Sequence, residues 1–269
     1  MASARRTLTA APHLSPHSPR VFAPPANATD AHCYVFGPAH KFPFAPEATY
    51  APPDSGIEDF EVLQGTLGFS RAVFVQATCH GTDNTAMVDA LVRGNGRYAG
   101  VAMIDESYGE REIGELHDVG VRGARFNFVS HLGGAPDLDV FWRLVERVVP
   151  FGWHIVLHFD AQDLPGHADL LDRMPTPYVI DHMARVDAPA GLGQEPFQAL
   201  LEVMKDERAW VKISGAERLT ADGLRPTTTS FHTPRRSSRQ LPIASCGGPT
   251  GRTRTFGTCQ TTAISSISS

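Results

Sequence analysis

Seven short apolar runs recur along this chain, at residues 30–36, 72–79, 98–105, 123–128, 153–159, 178–183 and 210–214. They are nearly continuous in apolar residues rather than alternating. Strands buried on both faces of a parallel sheet read this way. Between the runs lie stretches with apolar spacing near 3.6. Residues 138–149 form the clearest helix, with Phe141, Leu144, Val145 and Val148 on one face. Residues 84–93, 110–119, 164–172 and 197–206 are the other helix candidates. Gly96, Gly120 and Gly152 fall between helix and strand, where a left-handed helix stop is wanted.

The pattern ends at Arg225. Residues 226–269 contain no Asp, Glu or Val, while Ser, Thr and Arg crowd in. The chain therefore divides into a flexible N-terminal tail (1–28), a folded domain (29–225) and a C-terminal tail (226–269) whose composition predicts disorder. The first 28 residues contain Arg5, Arg6 and Arg20, several Ser and Pro, and no acid before Asp30. An organelle transit peptide and a solvated tail share that composition, and the scattered prolines favour the tail.

Seven strand–helix units fit a doubly wound open sheet or a (β/α)8 barrel one unit short. No G-x-G-x-x-G follows the first strand, which weakens a dinucleotide-binding sheet. Polar residues stand at the C-terminal ends of many strands rather than at one switch point. That distribution favours the barrel, where catalytic groups come from several strand ends.

Net charge bears on partners. The whole chain carries −5, but the last 44 residues hold five Arg and no acid, leaving residues 1–225 at −10. An acidic body argues against a nucleic-acid binder. No apolar run approaches the roughly 20 residues that span a bilayer. Cys33, Cys79, Cys246 and Cys259 show no CxxC spacing, which favours reduced thiols and a cytoplasmic protein.

The strand ends carry the chemistry. They read Asp30-Ala-His32-Cys-Tyr34, Thr78-Cys-His80, Arg122-Gly-Ala-Arg125-Phe-Asn127, His154 with His158, Asp181-His182-Met-Ala-Arg185 and Lys212-Ile-Ser-Gly-Ala-Glu-Arg218. A lone His in a strand is usually a satisfied core residue, and a lone Arg a surface charge. Several cations at one end of parallel strands are different. Buried together they cost free energy unless an anion offsets them, and a carboxylated substrate held by Arg would do so.

Residues 21–225 resemble the amidohydrolase-related family, in its 2-pyrone-4,6-dicarboxylate lactonase branch. The resemblance is carried by Asp30-Ala-His32-Cys, Val35-Phe-Gly-Pro38, Phe42-Pro-Phe44, Val75-Gln-Ala, Cys79-His-Gly-Thr-Asp-Asn84, Arg125-Phe-Asn-Phe128 and Ile180-Asp-His-Met183. It implies a (β/α)8 TIM barrel of the metal-dependent hydrolase type that opens the lactone of a small dicarboxylic acid. An Asp at strand 8 is expected to act as general base. His32 and His182 become the catalytic histidines. Arg125, Arg185 and Arg218 become carboxylate binders, and Tyr50, Thr78 and His80 line the pocket. The branch implies hydrolysis without metal, although most of the superfamily uses a divalent ion. No partner other than the small anionic lactone is implied, and the oligomeric state stays open.

Three departures qualify the resemblance. The family's first strand carries His-x-His, and here the second position is Tyr34. Tyr is no ordinary zinc ligand, so a binuclear metal site is disfavoured; no cofactor is expected, with a divalent metal as the disfavoured alternative. Tyr34 either donates a hydrogen bond to a carbonyl as part of the catalytic set or marks a damaged site. His131 and His158 stand where the lactonases have Arg and Tyr. The strand-8 segment, approximately Leu-Trp-Gly-Thr-Asp-Trp-Pro-His-Pro-Asn in the family, is missing. Residues 246–255 can be back-translated TGT GGG GGA CCG ACT GGC CGC ACC CGA ACA. Read one base earlier, they become CTG TGG GGG ACC GAC TGG CCG CAC CCG AAC, which encodes that segment and puts an Asp at Thr250. A frame shift near Pro226 is the expectation, with activity impaired by loss of the strand-8 Asp. Decarboxylation of an unsaturated or aromatic acid and a non-catalytic remnant are the alternative readings.

Overall fold

In the computed structural model, Arg6–Thr7 and residues 23–215 are described. Arg218 and the tail from residue 226 lie outside the described residues, as do Cys246 and Cys259. Of the first 28 residues, Arg6–Thr7 pair in parallel with Tyr50–Ala51.

Seven strands make one sheet whose order follows the chain. They are β1 (Thr29–Cys33), β2 (Arg71–Val75), β3 (Tyr98–Ala102), β4 (Val121–Asn127), β5 (His154–His158), β6 (Tyr178–Ile180) and β7 (Ala209–Val211). The registers given for β1–β2, β2–β3, β5–β6 and β6–β7 are all parallel. Helices fall between successive strands: α1 (Ile57–Leu67), α2 (Thr85–Gly94), α3 (Glu110–Asp118), α4 (Leu138–Val148), α5 (Ala168–Asp172) and α6 (Glu195–Val203). This is the βα succession of a (β/α)8 barrel, with seven strands of its sheet among the described residues. The apolar runs are longer than the strands because buried residues continue into the loops, as Gln76, Ala77 and Cys79 do after β2.

The chain divides into two compact units, which meet in sequence between Gly123 and Ala124 within β4. In the first, Phe60 of α1 packs edge-on against Phe74 and Tyr98, with ring centroids 4.9 and 5.8 Å away. Gly100 lets α2 approach β3: a Cβ there would lie 2.9 Å from Leu91 Cδ1 and 3.1 Å from Val121 Cγ2. In the second, α4 buries Phe141, Leu144, Val145 and Val148, the face read from its periodicity. Asp137 caps that helix by accepting from the amides of Asp139 and Val140.

Two sequence expectations need correction. Helix α1 was not anticipated. Its third inward position is Gln64, not an apolar residue, and Gly65, a weak helix former, follows within it; Gln64 Oε1 accepts from the Tyr98 hydroxyl at 2.9 Å. The helix expected at 164–172 is α-helical only over Ala168–Asp172. Ala161–His167 is a 3-10 stretch containing Pro165, which supplies no amide to an α-helical ladder.

Candidate active site

In the first unit, the end of β1 presents His32 and Tyr34. His32 Nε2 lies 2.6 Å from the Tyr34 hydroxyl, and the rings meet edge-on. Asp30 Oδ1 accepts from the His32 amide at 3.1 Å and fixes the strand end. Tyr34 stacks on Phe36, and Phe36 in turn on His80. Tyr50 packs against the Phe36–Ala48–Ala77–Cys79 cluster. Burial drives the Tyr50 hydroxyl above its ordinary value, and the neighbouring Cys79 adds to this; Thr78 donates to the same hydroxyl and opposes it. Burial also pushes the Cys79 thiol up to about 12. Both groups are neutral at physiological pH.

The loop that carries Thr78 and His80 is held from beneath. Gln76 Nε2 donates to the carbonyls of Gly81 and Asp83 at 3.3 and 2.7 Å. Asn84 Nδ2 donates to the Thr82 and Met103 carbonyls, and its Oδ1 accepts from the Met103 amide. His80 is buried. Its Nδ1 donates to the Pro43 carbonyl at 3.2 Å, which leaves Nε2 as the lone-pair nitrogen with no protein partner among the described residues. Burial lowers its pKa, opposed by the Pro43 carbonyl and Asp83, so the ring is neutral.

In the second unit, an ion cluster lies at the strand ends. Asp181 is fully buried (0 % exposed) and follows β6. Arg125 of β4 donates from Nε to Asp181 Oδ2 at 3.0 Å, and Lys212 Nζ lies 3.1 Å from Oδ1. Arg125 Nη2 lies 3.0 Å from His158 Nδ1. A guanidinium only donates, so His158 Nδ1 must accept, and the proton of the neutral ring sits on Nε2. His182 Nδ1 lies 2.9 Å from Ser214 Oγ, and its ring meets that of His158 edge-on at 5.6 Å. Arg185 Nε is 2.7 Å from Asp160 Oδ1 in a half-exposed ion pair.

The backbone that carries these groups is unusual. His182, Met183, Ala184 and Arg185 all have φ between 51 and 54°. Each left-handed non-glycine residue costs about 1–2 kcal/mol. Four in succession persist only where surrounding contacts over-determine them, and such strain clusters at functional sites.

Thus the structure groups His32 with Tyr34, and Tyr50 with Thr78 and His80 around the Phe36 cluster. Separately, it groups Arg125, His158 and His182 with Asp181. Arg125 was expected to grip substrate; it is bound to the chain's own Asp181 and His158. Sequence reasoning placed Asp181, Lys212 and Ser214 at the polar strand ends but gave none of them a role. The available signal was an Asp and a Lys standing within apolar runs, where a charge must be paired.

These features match known proteins. The amidohydrolase family model matches residues 29–241. The chain belongs to the amidohydrolase family. It is 44% identical over 212 residues to a 2-pyrone-4,6-dicarboxylate hydrolase of Comamonas testosteroni, spanning 78% of this chain and 69% of that protein. It is 38% identical to a 4-sulfomuconolactone hydrolase of Rhizobium radiobacter, spanning 77% and 70%. A crystal structure of a probable 2-pyrone-4,6-dicarboxylic acid hydrolase from Acinetobacter baumannii, with citric acid bound, superposes with a TM-score of 0.69 at 25% identity, covering 81% of this chain and 83% of that one. The relatives are lactone-opening hydrolases by name, and this chain is a hydrolase of their family. Among the described residues no helix is long and apolar enough to cross a membrane.

The family at large implies a divalent metal. Asp181 and His182 are ligand types, but the Asp181 carboxylate is already flanked by Arg125 and Lys212. A divalent cation would have to displace or face two buried positive charges. Tyr34 replaces the second strand-1 histidine, and His32 Nε2 is engaged with its hydroxyl.

Proposed function

We propose that this protein hydrolyses the ring ester of a small carboxylated lactone of the 2-pyrone-4,6-dicarboxylate kind, without a divalent metal. The observation that carries the reading is the buried Arg125–Asp181–Lys212 cluster beside His158 and His182. These three charged side chains sum to one positive charge. A desolvated positive site favours an anion, and a lactone carboxylate supplies one. The curated relatives open carboxylated or sulfonated lactones, which supports the same substrate class.

In this reading water attacks the lactone carbonyl carbon. The ring carbon–oxygen bond breaks, one proton of the water goes to the ring oxygen and the other is released to solvent, and the carbonyl carbon becomes a new carboxylate. His158, fixed as an Nε2–H donor by Arg125, hydrogen-bonds an anionic oxygen. His182, held by Ser214, faces the reacting ester. The resemblance assigns His32 and Tyr34 to the developing oxyanion, where a positioned donor counts most. The resemblance likewise assigns Tyr50, Thr78 and His80 to pocket lining and Arg185 and Arg218 to further substrate carboxylates. Residues 226–269 offer no carboxylate as general base, so turnover by this chain is slow. The expected setting is the cytoplasm, where Cys33 and Cys79 stay reduced.

The test is spectrophotometric. Purified full chain is incubated with 2-pyrone-4,6-dicarboxylate, with and without excess chelator. Loss of pyrone absorbance above the buffer rate, unchanged by chelator, is the expected result. Absence of any loss, with the ligand binding no better than a neutral pyrone, overturns the reading.

A further inference from the structure

We propose that Lys212 is a positioning residue that holds His182 in its working orientation; this rests on the lactonase reading only for its catalytic consequence. Three contacts made by Lys212 converge on the left-handed turn. Its amide donates to the Ile180 carbonyl at 2.9 Å, and its carbonyl accepts from the Met183 amide at 3.0 Å. Its Nζ lies 3.1 Å from Asp181 Oδ1, and both side chains are buried, at 6% and 0% exposure. Two residues on, Ser214 Oγ meets His182 Nδ1 at 2.9 Å. The residues on either side of His182 in sequence, Asp181 and Met183, are thus both tied to Lys212.

The need for such a clamp follows from the backbone. His182 begins four consecutive left-handed residues with no glycine among them. Their intrinsic preference is to relax, and an imidazole displaced with its backbone loses alignment with Ser214. The two backbone hydrogen bonds survive any substitution that keeps β7 paired. The side-chain contact to Asp181 is therefore the component of the clamp that mutation can remove.

The experiment uses the full chain with nitrogen-labelled histidine, the His182 ring signals being assigned by their loss in His182→Gln. In the wild type these signals should show one fixed tautomer. Lys212→Met should convert them to averaged values, and Lys212→Arg, which keeps a buried cation, should restore the fixed pattern. Where turnover is measurable, kcat should fall about 100-fold in Lys212→Met, as a misplacement near 1 Å can cause, in addition to the rise in KM that follows from the lost positive charge; Lys212→Arg, which keeps the charge, should restore both. Unchanged His182 signals in a folded Lys212→Met protein would overturn the proposal. If that variant does not fold, Lys212→Gln decides instead: it removes the charge but keeps a donor, and wild-type His182 signals there would equally overturn it. The ring signals need no substrate, so this result stands or fails separately from the lactone reading.

Discussion

Replacing Asp181 by Asn should be among the most damaging single changes in this protein. The carboxylate is 0 % exposed and sits 3.0 Å from Arg125 Nε and 3.1 Å from Lys212 Nζ. At an effective dielectric of about 20, each contact represents roughly 5 kcal/mol of Coulomb attraction. Most of that offsets the cost of taking three charges out of water. Removing the anion leaves two buried cations with that cost uncompensated, and breaking a buried pair in this way costs about 3–5 kcal/mol. With a urea m-value of at most about 3 kcal/mol per molar, the unfolding midpoint should drop by about 1 M or more. Urea unfolding followed by circular dichroism reads this directly. The reference variant is Glu202→Gln, whose partner Lys205 is solvent-exposed on α6's flank and which should leave the midpoint unchanged. If Asp181→Asn moves the midpoint no further than Glu202→Gln, Asp181 does not neutralise a buried cation pair.

Three further outcomes are expected. His80 is neutral because burial holds it below the ordinary 6.5, so below about 6.5 the unfolded chain takes up a proton that the native chain refuses. Its contribution is present above that pH and lost as pH falls, and His80→Gln should lose less stability between pH 7.5 and 5.5 than wild type in paired urea titrations. Cys79, raised to about 12 by burial, should resist alkylation at neutral pH in native protein and react on unfolding, as read by peptide mass spectrometry; rapid native labelling would contradict its buried position. Asp137→Ala removes the two hydrogen bonds that cap α4 and should cost about 1 kcal/mol, whereas Asp137→Ser should restore most of it.

The fold was legible because parallel strands buried on both faces leave uninterrupted apolar runs, and all seven runs contain or overlap a strand. Strand ends were overestimated where buried loop residues prolong the apolar pattern, as at Ala77 and Cys79. Helix α1 escaped because its packing uses a hydrogen-bonded Gln64 where periodicity expects an apolar side chain. At the site, the individual histidines and arginines were visible as polar residues closing apolar runs. Their pairing was not. Arg125 and Asp181 lie far apart in sequence, and only the parallel sheet brings their strand ends together. The left-handed turn at His182 left no trace either, since no glycine marks it; tertiary contacts with Lys212 impose it.

The most direct test of lactone hydrolysis is to run the reaction in heavy-oxygen water with excess chelator and to weigh the product. One labelled oxygen in the newly formed carboxylate, with the carbon count of the pyrone retained, is the expected result. Product lacking a carbon as carbon dioxide, or turnover abolished by the chelator and restored by a divalent metal, would contradict it.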